Sequence, residues 1–199
     1  DIISKDMFVF MNSKIRQWND EVVVPRTSLT GRIFGGRKWG NGGKSNFFSF
    51  GSNQSSNNSS GENSNPKVTY SSEGGYYFAE SSEMILRKLA DWYFMLGDYK
   101  NAYTIYGLIK KNMINDKAYA HLSSLQECTV FSLLLGANDK SGTSAQPITS
   151  KMILTVINPM IDSSFYSYLS RCNLVSYTLR LTIVTAELFL LLGQTTASN

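Results

Sequence analysis

The stretch of this 199-residue chain richest in chemically active side chains is Arg26–Phe50, RTSLTGRIFGGRKWGNGGKSNFFSF, where cations alternate with aromatic and aliphatic residues. Between Val22 and Gly61 it carries Arg26, Arg32, Arg37, Lys38 and Lys44 and no acidic residue, so the net charge of +4 is concentrated there. Three ligand surfaces suit such a mixture. A phosphate loop is suggested by Gly43-Lys44-Ser45, but the first glycine of that motif would fall at position 38, which is Lys38. Stacking on nucleic acid calls for a longer basic footprint than this one patch in a chain otherwise close to charge balance, so no nucleic-acid partner is expected. An anionic membrane fits the ingredients. Each basic side chain near acidic lipid gains about 1 kcal/mol, and Trp and Phe partition into the interface. The candidate membrane-contact residues are therefore Leu29, Arg32, Ile33, Phe34, Arg37, Lys38 and Trp39. On a helical wheel Leu29 and Ile33 share a face, whereas Phe34 and Trp39 diverge and Gly35-Gly36 breaks the register. An arm whose aromatics pack on the rest of the fold is the competing expectation.

Elsewhere the residue types point away from catalysis. His121 is the single histidine, with no second histidine or nearby cysteine to share a metal, and is expected to be structural or superficial. Cys128 and Cys172 lie far apart on helical patterns, without zinc spacing or the density of a disulfide scaffold, and read as reduced core thiols. There is no nucleophile motif and no pair of carboxylates at a useful spacing. No enzymatic activity, cofactor or metal is expected.

The element that must organise the chain is Met84–Lys111, MILRKLADWYFMLGDYKNAYTIYGLIKK. Leu86, Leu89, Ala90 and Tyr93 fall at offsets of three, four and seven, one apolar stripe on a 3.6-residue period, and Ala102, Ile105, Tyr106 and Ile109 repeat the pattern. Gly97-Asp98-Tyr99 stands between them, with Gly97 supplying the open backbone angle of a helix stop. Two antiparallel helices follow, touching at the small residues Ala90 and Ala102 and flanked by Tyr93 and Tyr106. The order bulky residue, Leu, small residue, aromatic, GDY turn, Ala, aromatic is that of a tetratricopeptide unit, with Ile114 where its closing Pro would stand. A generic helical hairpin would share most of these residues. Either form has to hide its stripe on neighbours, so the expected fold is all-α, an α-solenoid of tetratricopeptide-like hairpins with a disordered Gly/Ser/Asn-rich insert.

Three regions are expected along the chain: an amphipathic solenoid helix over 1–25, the basic aromatic segment and low-complexity linker over 26–69, and the helical repeat region over 70–199. The first helix places Met7, Phe8, Met11, Ile15 and Trp18 on one side and is expected to end at Pro25 after an extended Val22–Val24 run. Gly51–Pro66 lacks the apolar content to offset ordering entropy. Ser81 or Ser82 should cap the central hairpin, and Asn115-Asp116 should open a third helix with a seam of Leu122, Leu125, Cys128, Phe131 and Leu135. A loop over Gly136–Pro147 and a helix over Ile148–Asn158, stopped by Pro159, come next. The last helix carries Leu174, Tyr177, Leu181, Val184, Leu188 and Leu191 at alternating spacings and closes at Gly193. Its richest apolar run, Thr182–Leu192, is short of the roughly 20 residues that span a bilayer and includes Glu187, so no transmembrane helix is expected. The chain opens on Asp1, which suggests an internal fragment of a longer polypeptide.

Tyr77–Glu127, with its RKLAD…GDY…AY…NDKA run, resembles the helical region of the TRAPP (transport protein particle) subunits that distinguish TRAPP III, the fungal subunit 85 and animal subunit 8 family. LTGRIF and RKWG, Leu29–Gly40, resemble that family's basic aromatic stretch before its variable linker, and the order of helix, basic stretch, linker and hairpin is kept. The resemblance implies a non-catalytic scaffold or tethering subunit of a Rab guanine-nucleotide exchange complex in ER–Golgi and endosomal traffic and autophagy. It also implies other TRAPP subunits as partners, a Rab-family GTPase reached through the complex, and a cytoplasmic, peripheral-membrane location at Golgi and pre-autophagosomal structures. A tetratricopeptide-like module binding peptides through Arg87, Lys88, Lys100 and Asn101 is the alternative.

Overall fold

The computed structural model describes residues 2–27, 69–138 and 148–197. They form an all-α arrangement: α1 (Ile2–Trp18), α2 (Ser82–Met95), α3 (Tyr99–Asn115), α4 (Tyr119–Asn138), α5 (Asn158–Tyr166) and α6 (Val175–Ala197). A two-stranded antiparallel ribbon, β1 (Tyr70–Ser71) and β2 (Tyr76–Tyr77), precedes α2. The ribbon is absent from the periodicity reading, because two residues per strand are too few to alternate; a four-residue turn ending in Gly75 at φ 67° makes it.

Neighbours in sequence are neighbours in space. α1 lies along α2, α2 and α3 form a hairpin, α3 packs on α4, and α4 meets both α5 and α6 on its other side. Gly97, at φ 81°, turns the chain between α2 and α3, and Asp98 caps α3 by accepting from the Asn101 amide at 3.2 Å. Ser81 caps α2, its hydroxyl accepting from the Met84 amide at 3.3 Å. Leu86, Leu89, Ala90, Ala102 and Tyr106 are buried in one cluster that also holds Ile105, Ile109, Met113 and Leu125, with Tyr93 half-buried at its edge. Met11 and Ile15 are the buried residues of α1, while Trp18 meets Trp92 at 4.8 Å between ring centroids. Met7 and Phe8 are exposed rather than on a packed side.

Several helix boundaries differ from the sequence expectation, and two differ for one reason. Residues 24–27 are helical, so Pro25 does not end the first helix and Val22–Val24 is not extended. Pro159 likewise sits in the first turn of α5 instead of stopping a helix. Each proline follows a five-residue π-helical turn, Asn19–Val23 and Ile153–Ile157, whose closing bond is made by the residue just before the proline: Val24 N–H to the Asn19 carbonyl, Asn158 N–H to the Ile153 carbonyl. A proline inside an α-helix deprives the carbonyl four residues back of a donor and its ring presses on that carbonyl. The wider π turn moves Glu21 and Thr155, the residues so affected, out of that clash and lets the helix continue.

At the other boundaries, Asn115 and Asp116 end α3, and Lys117 at φ 54° makes the corner before α4. α4 continues through Gly136 to Asn138, and α6 continues through Gly193. A third π turn, Ser167–Arg171, leads to Asn173 at φ 53°, which turns the chain into α6.

α4 is central and is buried on more than one side, which corrects the single-seam reading. Besides Leu122 and Leu125 it buries Ser123, Gln126, Glu127, Thr129, Val130, Ser132 and Leu134, while Cys128, Phe131 and Leu135 are only half-buried. The hydroxyls of Ser123, Thr129 and Ser132 return hydrogen bonds to carbonyls one turn back, so they enter the core satisfied. A second cluster, Val130, Leu134, Ile157, Met160 and Leu188, joins the C-terminal half of α4 to α5 and α6. In α6 the packed line is Thr178, Leu181, Thr185 and Leu188; Tyr177 and Leu191 of the expected seam are exposed. The apolar helix is also longer than the Thr182–Leu192 run: Val175–Gly193 is long and apolar enough by length and composition to cross a membrane, with a mean hydropathy of 1.6.

Candidate functional site

The candidate membrane-contact residues Leu29, Arg32, Ile33, Phe34, Arg37, Lys38 and Trp39 lie outside the described residues. What the structure describes is the pair of roots from which that segment leaves the fold, residue 27 on one side and residue 69 on the other.

The first root is tied down by Arg26. One guanidinium nitrogen donates to Glu83 Oε1 at 2.8 Å and to Ser82 Oγ at 2.6 Å. Glu83 sits in the first turn of α2 with its side chain 5% exposed, and it also accepts from the Asn112 amide of α3 at 2.7 Å. Burial alone would raise the Glu83 carboxyl above its ordinary range, but the Asn112 and Arg26 donors prevail and hold it below. A carboxylate at the N-terminus of α2 is also favoured by the helix dipole. One buried acid therefore joins the end of the first helical arm to α2 and α3. Farther along the same arm, Asn19 donates to Tyr93 Oη at 2.7 Å.

The second root is the β1–β2 ribbon. Thr69 accepts from the Phe78 amide at 3.1 Å, and the Phe78 carbonyl accepts from the Ser81 amide at 2.9 Å, which links residue 69 through Phe78 to the N-cap of α2. Tyr77 is buried, stacks on Tyr70 at 4.7 Å and donates its hydroxyl to Asp116 Oδ2 at 2.8 Å. Burial, then the Asp116 hydrogen bond, push the phenol far above its ordinary value, so it stays a donor. His121 meets Tyr77 edge-on at 5.2 Å and hydrogen-bonds the backbone of Gly75; burial, the largest influence, lowers its pKa. This is a structural histidine holding the ribbon on α4. Both roots of the basic segment thus emerge at one corner, where α2 begins, α3 ends and α4 begins.

Two further polar networks fasten the stack. Arg87 donates to Asp91 at 2.8 Å and reaches Ser124 Oγ at 3.1 Å and Cys128 Sγ at 3.2 Å, while Tyr106 donates to the same Asp91 at 2.7 Å. Arg87 therefore serves the α2–α3–α4 contact, which removes it from the cations available to a bound peptide; Asn101 is similarly engaged with Asp98. Lys88 and Lys100 are exposed. Glu127, 1% exposed, receives Arg180 through two bonds of 2.9 and 2.6 Å and the Tyr168 hydroxyl at 2.9 Å. Apart from Arg87–Asp91, one helical turn apart, and the neighbouring Asn101–Asp98, sequence periodicity misses these contacts, since their partners are 15 to 53 residues apart. Both cysteines are free and half-buried, and burial raises both thiols. Among the described residues no group of three or more His, Cys, Asp and Glu is placed to hold a metal ion.

The arrangement is thus one of structural fastening, and the comparisons with known proteins give it a context. The model of the TRAPPC-Trs85 family, described as the ER-Golgi trafficking TRAPP I complex 85 kDa subunit, matches residues 1–193. The chain belongs to the TRAPPC-Trs85 family. Among its relatives is the Trafficking protein particle complex III-specific subunit 85 of Saccharomyces cerevisiae, 32% identical over 97% of this chain and 27% of that protein. Another is the Transport protein particle subunit trs85-1 of Schizosaccharomyces pombe, 30% identical over 92% of this chain and 24% of that protein. The chain therefore spans about a quarter of the length of these TRAPPC-Trs85 relatives. No solved structure matches it.

Proposed function

We propose that this chain is a scaffold segment of a TRAPP III-type complex: a non-catalytic, solenoid-like helical stack that holds other subunits in a Rab guanine-nucleotide exchange and tethering assembly. The family match over residues 1–193 carries this reading. Consecutive pairing of α1 with α2, α2 with α3, α3 with α4, and α4 with α5 and α6 supports a stack that grows by adding helices at its ends. The assembly would act in ER–Golgi and endosomal traffic and autophagy, from the cytoplasmic face of Golgi and pre-autophagosomal membranes. Its partners would be the other TRAPP subunits and, through them, a Rab-family GTPase. Co-purification of the full-length protein with the remaining subunits tests the role, and recovery of the complete complex without it would overturn it.

Within that role, the basic aromatic segment between residues 27 and 69 contributes to membrane recruitment. With Arg26 held by Glu83, the four cations Arg32, Arg37, Lys38 and Lys44 supply at most about 4 kcal/mol on anionic lipid, with the aromatics adding to this. Such weak binding becomes useful when other contacts of the complex make it intramolecular. In vesicle flotation of the full-length protein, serine at Ile33, Phe34 and Trp39 should reduce binding even at low salt. Serine at Arg32, Arg37 and Lys38 should abolish only the dependence on anionic lipid. Equal flotation of all forms would identify the segment as a packing arm.

A further inference from the structure

α6 is apolar on two sides, although only one of them meets the other described helices. Its packed face offers buried Thr178, Leu181, Thr185 and Leu188 with half-buried Val184, Phe189 and Leu192 beside them, and the buried Thr185 hydroxyl has no hydrogen-bond partner among the described residues. Its outward face offers Val175, Leu179, Ile183 and Leu190, which are 57, 60, 53 and 60% exposed. These residues recur at spacings of four, four and seven, with exposed Ala186 between the last two, so they form one seam about 22 Å long. Ala186 leaves a shallow place midway where a second backbone can come close. Exposed Glu187 flanks the seam and makes no ion pair among the described residues.

We propose that this outward face of α6 is an interior packing face, covered in the intact protein by a further amphipathic α-helix of the same polypeptide. That helix would lay an apolar seam along Val175, Leu179, Ile183 and Leu190 and set a lysine or arginine opposite Glu187. The inference rests on the stacked-scaffold reading and names the seat through which the stack continues. Three observations favour this occupant. The seam has helix–helix spacing; its flanking charge asks for a cation; and the relatives carry about three-quarters of their length outside the matched region. At the opposite end of the stack, among the described residues, α1 exposes Met7, Phe8, Val9 and Phe10 instead of the polar outer face that closes a helical array. Lipid is a poorer occupant. Arg180 of α6 is clamped to buried Glu127 of α4, so immersing α6 would carry an ion pair and Glu187 into the apolar phase.

The test is thiol labelling of the full-length protein, expressed without other subunits, carrying Leu179→Cys, Ile183→Cys or Leu190→Cys, with Lys88→Cys as the exposed control and site-resolved mass spectrometry as readout. Labelling at the three seam positions should be several-fold slower than at position 88. Labelling as fast as the control overturns the proposal. So does protection that requires other subunits, higher protein concentration or vesicles, which would identify a partner subunit, a second copy or lipid as the occupant. Glu187→Lys should speed labelling at Ile183→Cys while Glu187→Gln changes it less, and equal labelling of all three forms overturns the charge pairing. Co-purification of the same variants with the other subunits reports on the scaffold role independently, so a free seam in a protein that still assembles refutes only this inference.

Discussion

Glu127 of α4 and Arg180 of α6 are joined by two hydrogen bonds of 2.9 and 2.6 Å, with the carboxylate buried and the guanidinium half in solvent. The pair adds a polar clamp to the apolar cluster through which α6 lies on α4. Arg180→Ala leaves the buried carboxylate with Tyr168 as its remaining side-chain donor and should cost roughly 2–4 kcal/mol, read from urea unfolding. Because replacing both members of a buried pair is far less harmful than removing one, Glu127→Leu with Arg180→Met should recover most of that loss.

Arg26→Ala should loosen the first root of the basic segment. Glu83 would keep Asn112 and Ser82, and the arginine is partly exposed, so the expected loss is moderate, about 1–2 kcal/mol. The telling readout is local: amide exchange over residues 19–27 should accelerate while that of α3 is unchanged.

Two glycines make opposite forecasts. Gly97→Ala forces a side chain into a left-handed backbone at φ 81° and should lower stability by about 1 kcal/mol. In α3, Gly107→Ala meets nothing within 4 Å and should raise stability by a similar amount through helix propensity. Chemical denaturation of both variants checks the signs; a loss at Gly107 would indicate that something absent from the described contacts covers that face.

Acidification should loosen the ribbon corner in two steps. His121 is held below its ordinary 6.5, so its contribution is complete above that value and falls as the unfolded chain takes up the proton first. Glu83 is held below its ordinary 4.5, so its contribution is present above that value and is lost on going lower, through the folded-state pKa. Melting temperature should decline below pH 6.5 and again below 4.5, and His121→Gln should flatten the first decline alone.

The helical class and the α2–α3 hairpin are legible in the sequence because their determinants are local: a 3.6-residue stripe, two small residues and a glycine turn within 28 residues of chain. Pro25 and Pro159 mislead because the usual rule assumes α geometry up to the proline, and a π turn lifts that assumption without any compositional mark. The Leu174–Leu191 seam is legible in part: Leu181 and Leu188 are buried and Leu174 and Val184 half-buried, but Tyr177 and Leu191 are exposed. Apolar residues surround α6, so periodicity leaves the edges of its packed face open, and the Arg180–Glu127 contact spans 53 positions of chain. For the same reason the corner that holds the basic segment is invisible in sequence, although the charge of that segment is plain.

Because Arg26 and the Tyr70–Tyr77 ribbon are each secured to the same corner by contacts with Glu83, Ser82, Asp116 and His121, the corner acts as a socket with both terminals fixed. For a chain tethered in this way, the entropy of closure grows only with the logarithm of length, about 0.6 kcal/mol for each doubling. A flexible segment grafted between these two terminals should therefore cost little more when its length is doubled.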